Sequence, residues 1–326
     1  MPLPEKALIT EIRRLAGFPS HRLSSGSAVL AGIGDDCAVL RPAPGHEILV
    51  TTDFTLEGIH FRREWHPPEV VGHRCLTRGL SDIAAMGGEP LAVFLSLALP
   101  RDLPQAWVRR FFQGLLKLGK KYGAPLAGGD TAESPDGVLV DIIVVGSVPK
   151  GKAVSRSGAR PGDRVYVSGE LGGSAAALME MRARPKNKLN PREYPRHFYP
   201  EPRIELGQIL RKKGLATAMI DLSDGLSTDL AHLCEESGVG AEIESVIIPR
   251  ARVGKHKREV SLDLALHGGE DYELLFTSPR GKRVPSQLAG IPLTLIGHVT
   301  SRQRIFLMNG RVGCELVPKG WEHFRK

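Results

Sequence analysis

Carboxylates recur in this sequence where an apolar segment meets glycine or a hydroxyl residue. They occur in Gly34-Asp35-Asp36, Thr51-Thr52-Asp53, Ser81-Asp82, Gly128-Gly129-Asp130, Asp221-Leu222-Ser223-Asp224-Gly225 and Gly268-Gly269-Glu270-Asp271. An acid at the end of a buried strand is costly unless something compensates its charge. Any one of these reads as a turn residue or a helix cap. Six in one chain whose net charge is +8 point to a shared role. Clustered hard oxygen donors suit Mg²⁺, which takes carboxylates, keeps waters and is completed by substrate phosphates. Glycines beside them let backbone N–H groups approach phosphate oxygens. The two together are what phosphoryl transfer needs, since that chemistry runs on positioning and charge neutralisation.

The familiar scaffolds for nucleotide chemistry are missing. There is no GxxxxGK[ST] loop and no HRD or DFG set. Gly169-Glu170-Leu171-Gly172-Gly173 does not match GxGxxG, and neither a GxSxG elbow nor an HExxH helix occurs. The four cysteines, Cys37, Cys75, Cys234 and Cys314, are scattered without metal-ligand spacing. They read as buried free thiols of a reducing compartment.

The elements that must carry these acids can be read from periodicity. Residues 5–16 place Ala7, Leu8, Ile12 and Leu15 on one helical face, with Gly17 as the stop. Residues 48–52 read as a short strand ending at Asp53, and a helix from Pro68 runs towards Gly87. A buried strand over 91–100, a helix over 104–122 and a strand over 138–148 follow. Pro149, Gly151, Gly158 and Pro161-Gly162 punctuate a connector, which puts a domain boundary near residue 150. The second half repeats the plan of strand, glycine-rich turn and helix: 163–169, then 172–181, 203–213, AMIDLS, 225–236, ELLFT and LTLIGHV.

Length and composition (326 residues, 41% hydrophobic, 25% charged) are those of a globular α/β chain of about two domains. No apolar run approaches the roughly 18 residues of a bilayer span, and the first residues carry acids without an apolar stretch of signal-peptide type. A cytoplasmic protein with no membrane partner is expected. Arg182, Arg184, Lys186, Lys188, Arg192 and Arg196 crowd one stretch, which reads as a solvated insertion loop or an anion-binding segment.

The motifs IGDDCAVL, TTDFTLEGIHF, LSDIAAMGG, GGDT, SRSGARPGDRVYVSG, IDLSDGL and LHGGEDYELLFT, with the tail KGWEHF, occur in this order. From about residue 30 to residue 324 the chain closely resembles the thiamine-monophosphate kinase family. That family lies within the superfamily of aminoimidazole-ribonucleotide synthetase, the selenophosphate synthetases and the HypE proteins. The resemblance implies a two-domain α/β (α+β) fold like aminoimidazole-ribonucleotide synthetase. Residues 1–149 would form an N-terminal mixed-sheet domain that binds ATP and Mg²⁺ and dimerises. Residues 150–326 would form a C-terminal α/β domain completing the active site. It further implies ATP-dependent phosphorylation of thiamine monophosphate to thiamine diphosphate, the last step of its biosynthesis. Transfer would be in line, with no covalent catalytic residue, in a homodimer whose ATP cleft is shared between subunits.

Transferred by motif, Asp36, Thr51, Thr52, Asp53, Asp82, Asp130, Asp221 and Asp224 would hold several Mg²⁺ ions. Gly129, Asp130, Arg156, Ser223 and Phe112 would contact ATP. His60, Glu270 and Trp321 would contact thiamine monophosphate. The chemistry of these side chains is apt. Arg156 offers a charge-assisted fork to phosphate, Trp321 a flat face for a cationic ring, and Glu270 an acceptor for an aminopyrimidine. Phe111-Phe112 stands where the family commonly has Tyr, leaving ring stacking as the contact expected of Phe112. Residues 184–200 look longer and more basic than is usual, while His197, Pro200 and Arg203 keep the family spacing.

Other superfamily members fit less well. A selenophosphate synthetase would carry a reactive Cys in a glycine-rich segment before Cys37, and a HypE-like chain would end in Cys rather than His-Phe-Arg-Lys. A non-catalytic basic protein that binds nucleic acid would explain the net charge, but not six glycine-flanked acids that repel phosphates.

Overall fold

The computed structural model describes residues 1–17, 28–33, 36–186, 188–321 and 324. The chain divides into two compact units. Met1–Ile83 and Gly88–Gly151 form the first, and Ala84–Gly87 with Lys152–Lys326 the second. Among the described residues no helix is long and apolar enough to cross a membrane.

The first unit runs α1 (Glu5–Ala16), β1 (Val29–Ala31), β2 (Val39–Leu40), β3 (His46–Leu56), α2 (Pro68–Ala85), β4 (Glu89–Pro100), α3 (Gln105–Tyr122), β5 (Leu126–Ser134) and β6 (Leu139–Pro149). α1 stops where expected, at Gly17, whose left-handed backbone turns its N–H back onto the last carbonyls. The main sheet is mixed, in the order β3-β6-β4-β5, with only the β4–β5 pair parallel.

β3 is longer than the pattern 48–52 suggested. Its ladder with β6 continues through Asp53↔Ile142 to Leu56↔Leu139, so Asp53 lies within the strand. Similarly, Gly128-Gly129-Asp130, expected as a turn, sits inside β5. Only glycine fits this point of the strand, because residue 129 has φ 148° and a Cβ there would fall on the Leu95 carbonyl.

One face of this sheet carries Val140, Ile142, Val144, Leu95 and Leu97 in the core. α2 lies on that face, with Gly79 directly over Val144. α2 and α3 meet backbone to backbone. A Cβ on Gly72 would overlap the Phe111 carbonyl oxygen, and one on Gly114 the carbonyl oxygen of Glu69. The opposite face is partly open. Ile48, Val50, Phe54 and Leu139 are exposed there, while Val29, Ala38 and Leu40 cover Phe94, Ala127 and Val145.

The second unit runs β7 (Arg164–Ser168), α4 (Gly173–Ala183), α5 (Pro195–Phe198), α6 (Ile204–Lys212), β8 (Ala218–Asp221), α7 (Leu226–Ser237), β9 (Gly240–Glu244), β10 (Arg252–Val253), β11 (Arg258–Glu259), α8 (Leu262–His267), β12 (Leu274–Ser278), β13 (Gln287–Leu288), β14 (Ile291–Thr300), β15 (Ile305–Asn309) and β16 (Val312–Glu315). Its large sheet has the order β16-β15-β9-β14-β7-β12-β8, with β13 paired to β14. All its pairs are antiparallel except β15–β9. Leu226, Leu230 and Leu233 of α7 pack on Val165, Ile220 and Leu275 of the sheet. β9, β15 and β16 were not foreseen, because each is short, and β9 and β16 mix acidic and glycine residues into the apolar pattern.

Cys75 and Cys234 are buried, as expected, but Cys37 and Cys314 are exposed. Cys314 lies on the edge strand β16, whose four residues all face solvent.

Because α2 and α3 have no room between their backbones, Gly114→Ala should overpack that contact. A loss of about 1–3 kcal/mol is expected in urea unfolding. Gln113→Ala, on the exposed side of α3, should stay within about 0.5 kcal/mol of wild type.

Candidate active site

In the first unit β3 presents its acids and hydroxyls alternately to the two faces of the sheet. Thr51 and Asp53 point to the face covered by α2. There Thr51 Oγ1 donates to Asp82 Oδ2 at 2.5 Å, and an Arg78 guanidinium nitrogen lies 2.8 Å from Asp53 Oδ1. Thr51 with Asp82 and Asp53 with Arg78 therefore form two adjacent pairs between β3 and α2. Thr52 points to the other face and donates to Asp141 Oδ1 at 2.7 Å. The register carries that face across the sheet as a row, Phe54↔Asp141↔Ser96↔Asp130. Asp130 is exposed, and its Oδ1 accepts the Thr131 N–H at 2.8 Å. Asp141 belongs to this row yet was not singled out from the sequence, since it looked like a polar interruption of a long apolar strand.

Asp36 is exposed, and its neighbours Gly34 and Asp35 lie outside the described residues. His60 closes the turn after β3: the Leu56 N–H donates to its Nδ1 at 3.0 Å, which leaves the proton of the neutral ring on Nε2. Phe112 departs from expectation. It is 1% exposed and meets Phe111 edge-on with ring centroids 5.5 Å apart. The α3 period that buries Val108, Phe111, Leu115 and Leu118 also turns Phe112 inward, so it has no exposed face on which an adenine could stack.

In the second unit β8 delivers Asp221, 3% exposed, to the edge of the sheet, and the turn Ser223-Asp224-Gly225 leads into α7. Asp229, one turn into α7, folds back so that its Oδ2 accepts the N–H groups of Asp224 (3.1 Å) and Gly225 (3.0 Å). Burial pushes the Asp229 carboxyl well above the usual range, and the charges of Asp221 and Asp224 add to the push. Asp224, Asp229 and His232 each offer a ligand atom, all within 4.8 Å of one another. Asp229 and His232 were missed in the sequence because a lone Asp and His on a helix beside a leucine face look like ordinary surface residues. Their spacing of three, which puts both on one side of α7, was the available signal.

The Gly268-Gly269-Glu270-Asp271 turn closes over the Ser223 turn. The Glu270 N–H donates to the Ser223 carbonyl at 2.8 Å and the Tyr272 N–H to the Leu222 carbonyl at 2.9 Å. Glu270 (φ 64°) and Tyr272 (φ 52°) are both left-handed, an unusual conformation for non-glycine residues. Trp321 reaches the same turn, its N–H donating to the Asp224 carbonyl at 3.2 Å, and its side chain is 49% exposed. Ser223, Asp224, Glu270 and Trp321 are thus gathered by backbone hydrogen bonds. Arg156 is exposed, in a loop whose Arg156 carbonyl accepts from Ser237 Oγ at 3.0 Å.

Two buried acids, Asp271 at the end of this turn and Glu273 just after it, anchor it. Asp271 accepts the N–H groups of Gly172 (2.6 Å) and Ser174 (3.3 Å) at the start of α4. Burial raises its pKa to about 7, against the pull of those two N–H groups and Arg196. Glu273 is fully buried, which alone would raise its pKa. The hydrogen bonds and charge of Arg203, the charge of Arg196 and the hydroxyl of Ser168 outweigh burial and lower it. Arg196 was expected in a solvated or anion-binding stretch, but it is an internal partner of Glu273 at 2.6 Å. Lys186, Lys188 and Arg192 are exposed.

Residues 34–148 match the family described as AIR synthase related protein, N-terminal domain, and residues 160–309 match its C-terminal domain. A thiamine-monophosphate kinase of Escherichia coli K12 is 39% identical over 325 residues, covering 96% of this chain and 98% of the relative. The chain belongs to the thiamine-monophosphate kinase family. Among solved structures, the family's enzyme from Stenotrophomonas maltophilia K279a superposes with a TM-score of 0.80 at 32% identity, covering 96% of this chain and 99% of that one. A structure described as AaThiL complexed with AMPPCP and TMP has a TM-score of 0.75 at 32% identity and covers 99% of each chain.

The Asp271 carboxyl gives a test of the family's GGED turn. Its folded-state pKa is about 7 against an ordinary 3.8, so from about pH 4 to pH 7 the folded protein holds a proton that the unfolded chain has released. That contribution is destabilising as pH rises through the window, because the folded state binds more protons than the unfolded. Asp271→Asn keeps an acceptor for the Gly172 N–H and removes the titration. The stability difference between variant and wild type, measured by urea unfolding, should therefore move in favour of the variant from pH 4 to pH 7.

Proposed function

We propose that this chain transfers the γ-phosphoryl group of ATP to thiamine monophosphate, giving thiamine diphosphate, in the cytoplasm. The observation that carries the reading is the gathered turn of the second unit. There the backbone N–H of Trp321, whose indole is half-exposed, donates to the peptide carbonyl of Asp224, whose side chain is a metal-type carboxylate.

The donors in both units fit Mg²⁺. They are hard oxygens of Asp, Thr and backbone. Moreover, Asp221 and Asp224 crowd Asp229 closely enough to raise its pKa, a strain that a divalent cation relieves. Thr51, Asp53 and Asp82 would hold Mg²⁺ from the first unit, with Asp36, Thr52 and Asp130 as further donors. Asp221 and Asp224 would hold it from the second. Bound there, Mg²⁺ neutralises charge on the triphosphate oxygens.

The chain's own groups do the positioning. Gly129 and Ser223 bring backbone and hydroxyl donors to the nucleotide, and Arg156 offers its fork to phosphate. Trp321 presents a ring face to the cationic thiazolium. Glu270 accepts from the aminopyrimidine, and His60 donates from Nε2. No side chain needs to form a covalent intermediate, since in-line transfer depends on alignment of the two phosphates. In this reading residues 1–149 bind ATP and Mg²⁺ and dimerise, and residues 150–326 complete the active site.

The open face of the first unit's sheet supports a homodimer. Val50 is 66% and Phe54 53% exposed, and both are large apolar side chains on one flat strand face with Ile48 and Leu139.

The purified protein should convert thiamine monophosphate to thiamine diphosphate when given Mg-ATP. A folded protein that makes none with ample Mg²⁺ overturns the proposal. Asp53→Ala and Asp224→Ala should each lower turnover by about 10²–10³-fold, the scale of losing one aligned electrostatic group, with the far-UV spectrum unchanged. Val50→Glu should shift the sedimenting species from dimer to monomer. If the mass is the same in both, the sheet face is not the interface.

A further inference from the structure

The carboxyl-terminal residues Lys319-Gly320-Trp321 run along the start of α7 without forming a helix or strand of their own. A segment of this kind takes its position from where its backbone N–H groups end. Here three consecutive N–H groups end on three acceptors, one in the turn before α7 and two in its first turn. Lys319 donates to Ser227 Oγ at 3.4 Å, Gly320 to Thr228 Oγ1 at 3.0 Å, and Trp321 to the Asp224 carbonyl at 3.2 Å. Ser227 is fully buried, and its Oγ lies 2.8 Å from His267 Nδ1. The central bond, to Thr228, has the best length of the three.

The register of this lock is fixed by glycine. A Cβ on residue 320 would fall on the Asp224 carbonyl oxygen and 2.5 Å from Thr228 Oγ1. Sliding the tail by one residue in either direction would drive Lys319 or Trp321 into that gap. Gly320 is therefore what allows the backbone to approach α7, and the main chain of Trp321, the next residue, is held by the same contact.

We propose that Thr228, together with Ser227 and Gly320, is a positioning site that aims the Trp321 ring and so sets affinity for the planar cationic ring of the acceptor. The inference rests on the acceptor reading given above for Trp321. It adds residues that touch neither substrate. Thr228 acts through the tail, not on the nucleotide, so its effect falls on one substrate only.

Thr228→Val keeps shape and removes the acceptor. Its KM for thiamine monophosphate should rise about fivefold, the scale of one neutral hydrogen bond, with the KM for ATP within twofold of wild type. Thr228→Ser should restore the wild-type value. Gly320→Ala, which keeps the α7 sequence, should raise the same KM by about tenfold or more, and it keeps the test alive if Thr228→Val does not fold. A second readout needs no turnover. The chain has three tryptophans, Trp65, Trp107 and Trp321, so with Trp65→Phe and Trp107→Phe the fluorescence reports Trp321 alone. In that background Thr228→Val should increase acrylamide quenching. If wild type does not use thiamine monophosphate while quenching still responds, the acceptor reading fails and the lock stands. Equal rises in both KM values, or unchanged quenching, overturn the lock itself.

Discussion

A carboxylate buried in a protein must recover the hydration it gives up, and the second unit is organised around three ways of doing so. Asp229 recovers it from two backbone N–H groups of the turn that precedes its own helix. Asp271 uses the N–H groups that open α4, where the helix dipole also favours negative charge. Glu273 takes two arginines and a serine hydroxyl. Each solution ties a loop to a rigid element. Asp229, Asp271 and Glu273 thus brace the turns on either side of Asp224 and Glu270.

The GGEDYE segment shows how this functions. Left-handed residues and buried acids alternate along it: Glu270, Asp271, Tyr272, Glu273. A non-glycine residue in that conformation costs of order 1–3 kcal/mol, which the fixed acids on either side can hold in place. The result is that Glu270 projects from a backbone with little freedom, next to Ser223 and Asp224.

Much of this was legible in the sequence. The motif acids, the helix limits at Gly17 and Pro68, and the strand–turn–helix plan of the second half follow from glycine, proline and apolar spacing. Family membership followed from ordered motifs. What escaped has physical causes. β3 was cut short and the start of β5 was read as a turn, because polar residues and glycines within a strand look like its end, and only pairing with β6 and β4 shows the ladders. Phe112 was read as a contact residue, although the helical period buries it with Phe111. Glu273 and Arg203 stand in or beside family motifs, but nothing local shows their pairing, and Asp229 shows only its spacing from His232. Their roles come from partners about five, seventy and a hundred residues away in sequence, and such pairings appear only once the chain is folded.

The two-faced strand β3 has one last implication. Odd-numbered Thr51, Asp53 and Thr55 lie beneath α2, while even-numbered Val50, Thr52 and Phe54 look outward. Strand geometry makes this a matter of parity. A single-residue insertion before Thr51 would exchange the two sets, lifting Asp53 away from Arg78 and forcing a phenyl ring into the place of a carboxylate. The segment from residue 46 to residue 56 can accept many side-chain changes, but its length cannot drift by one.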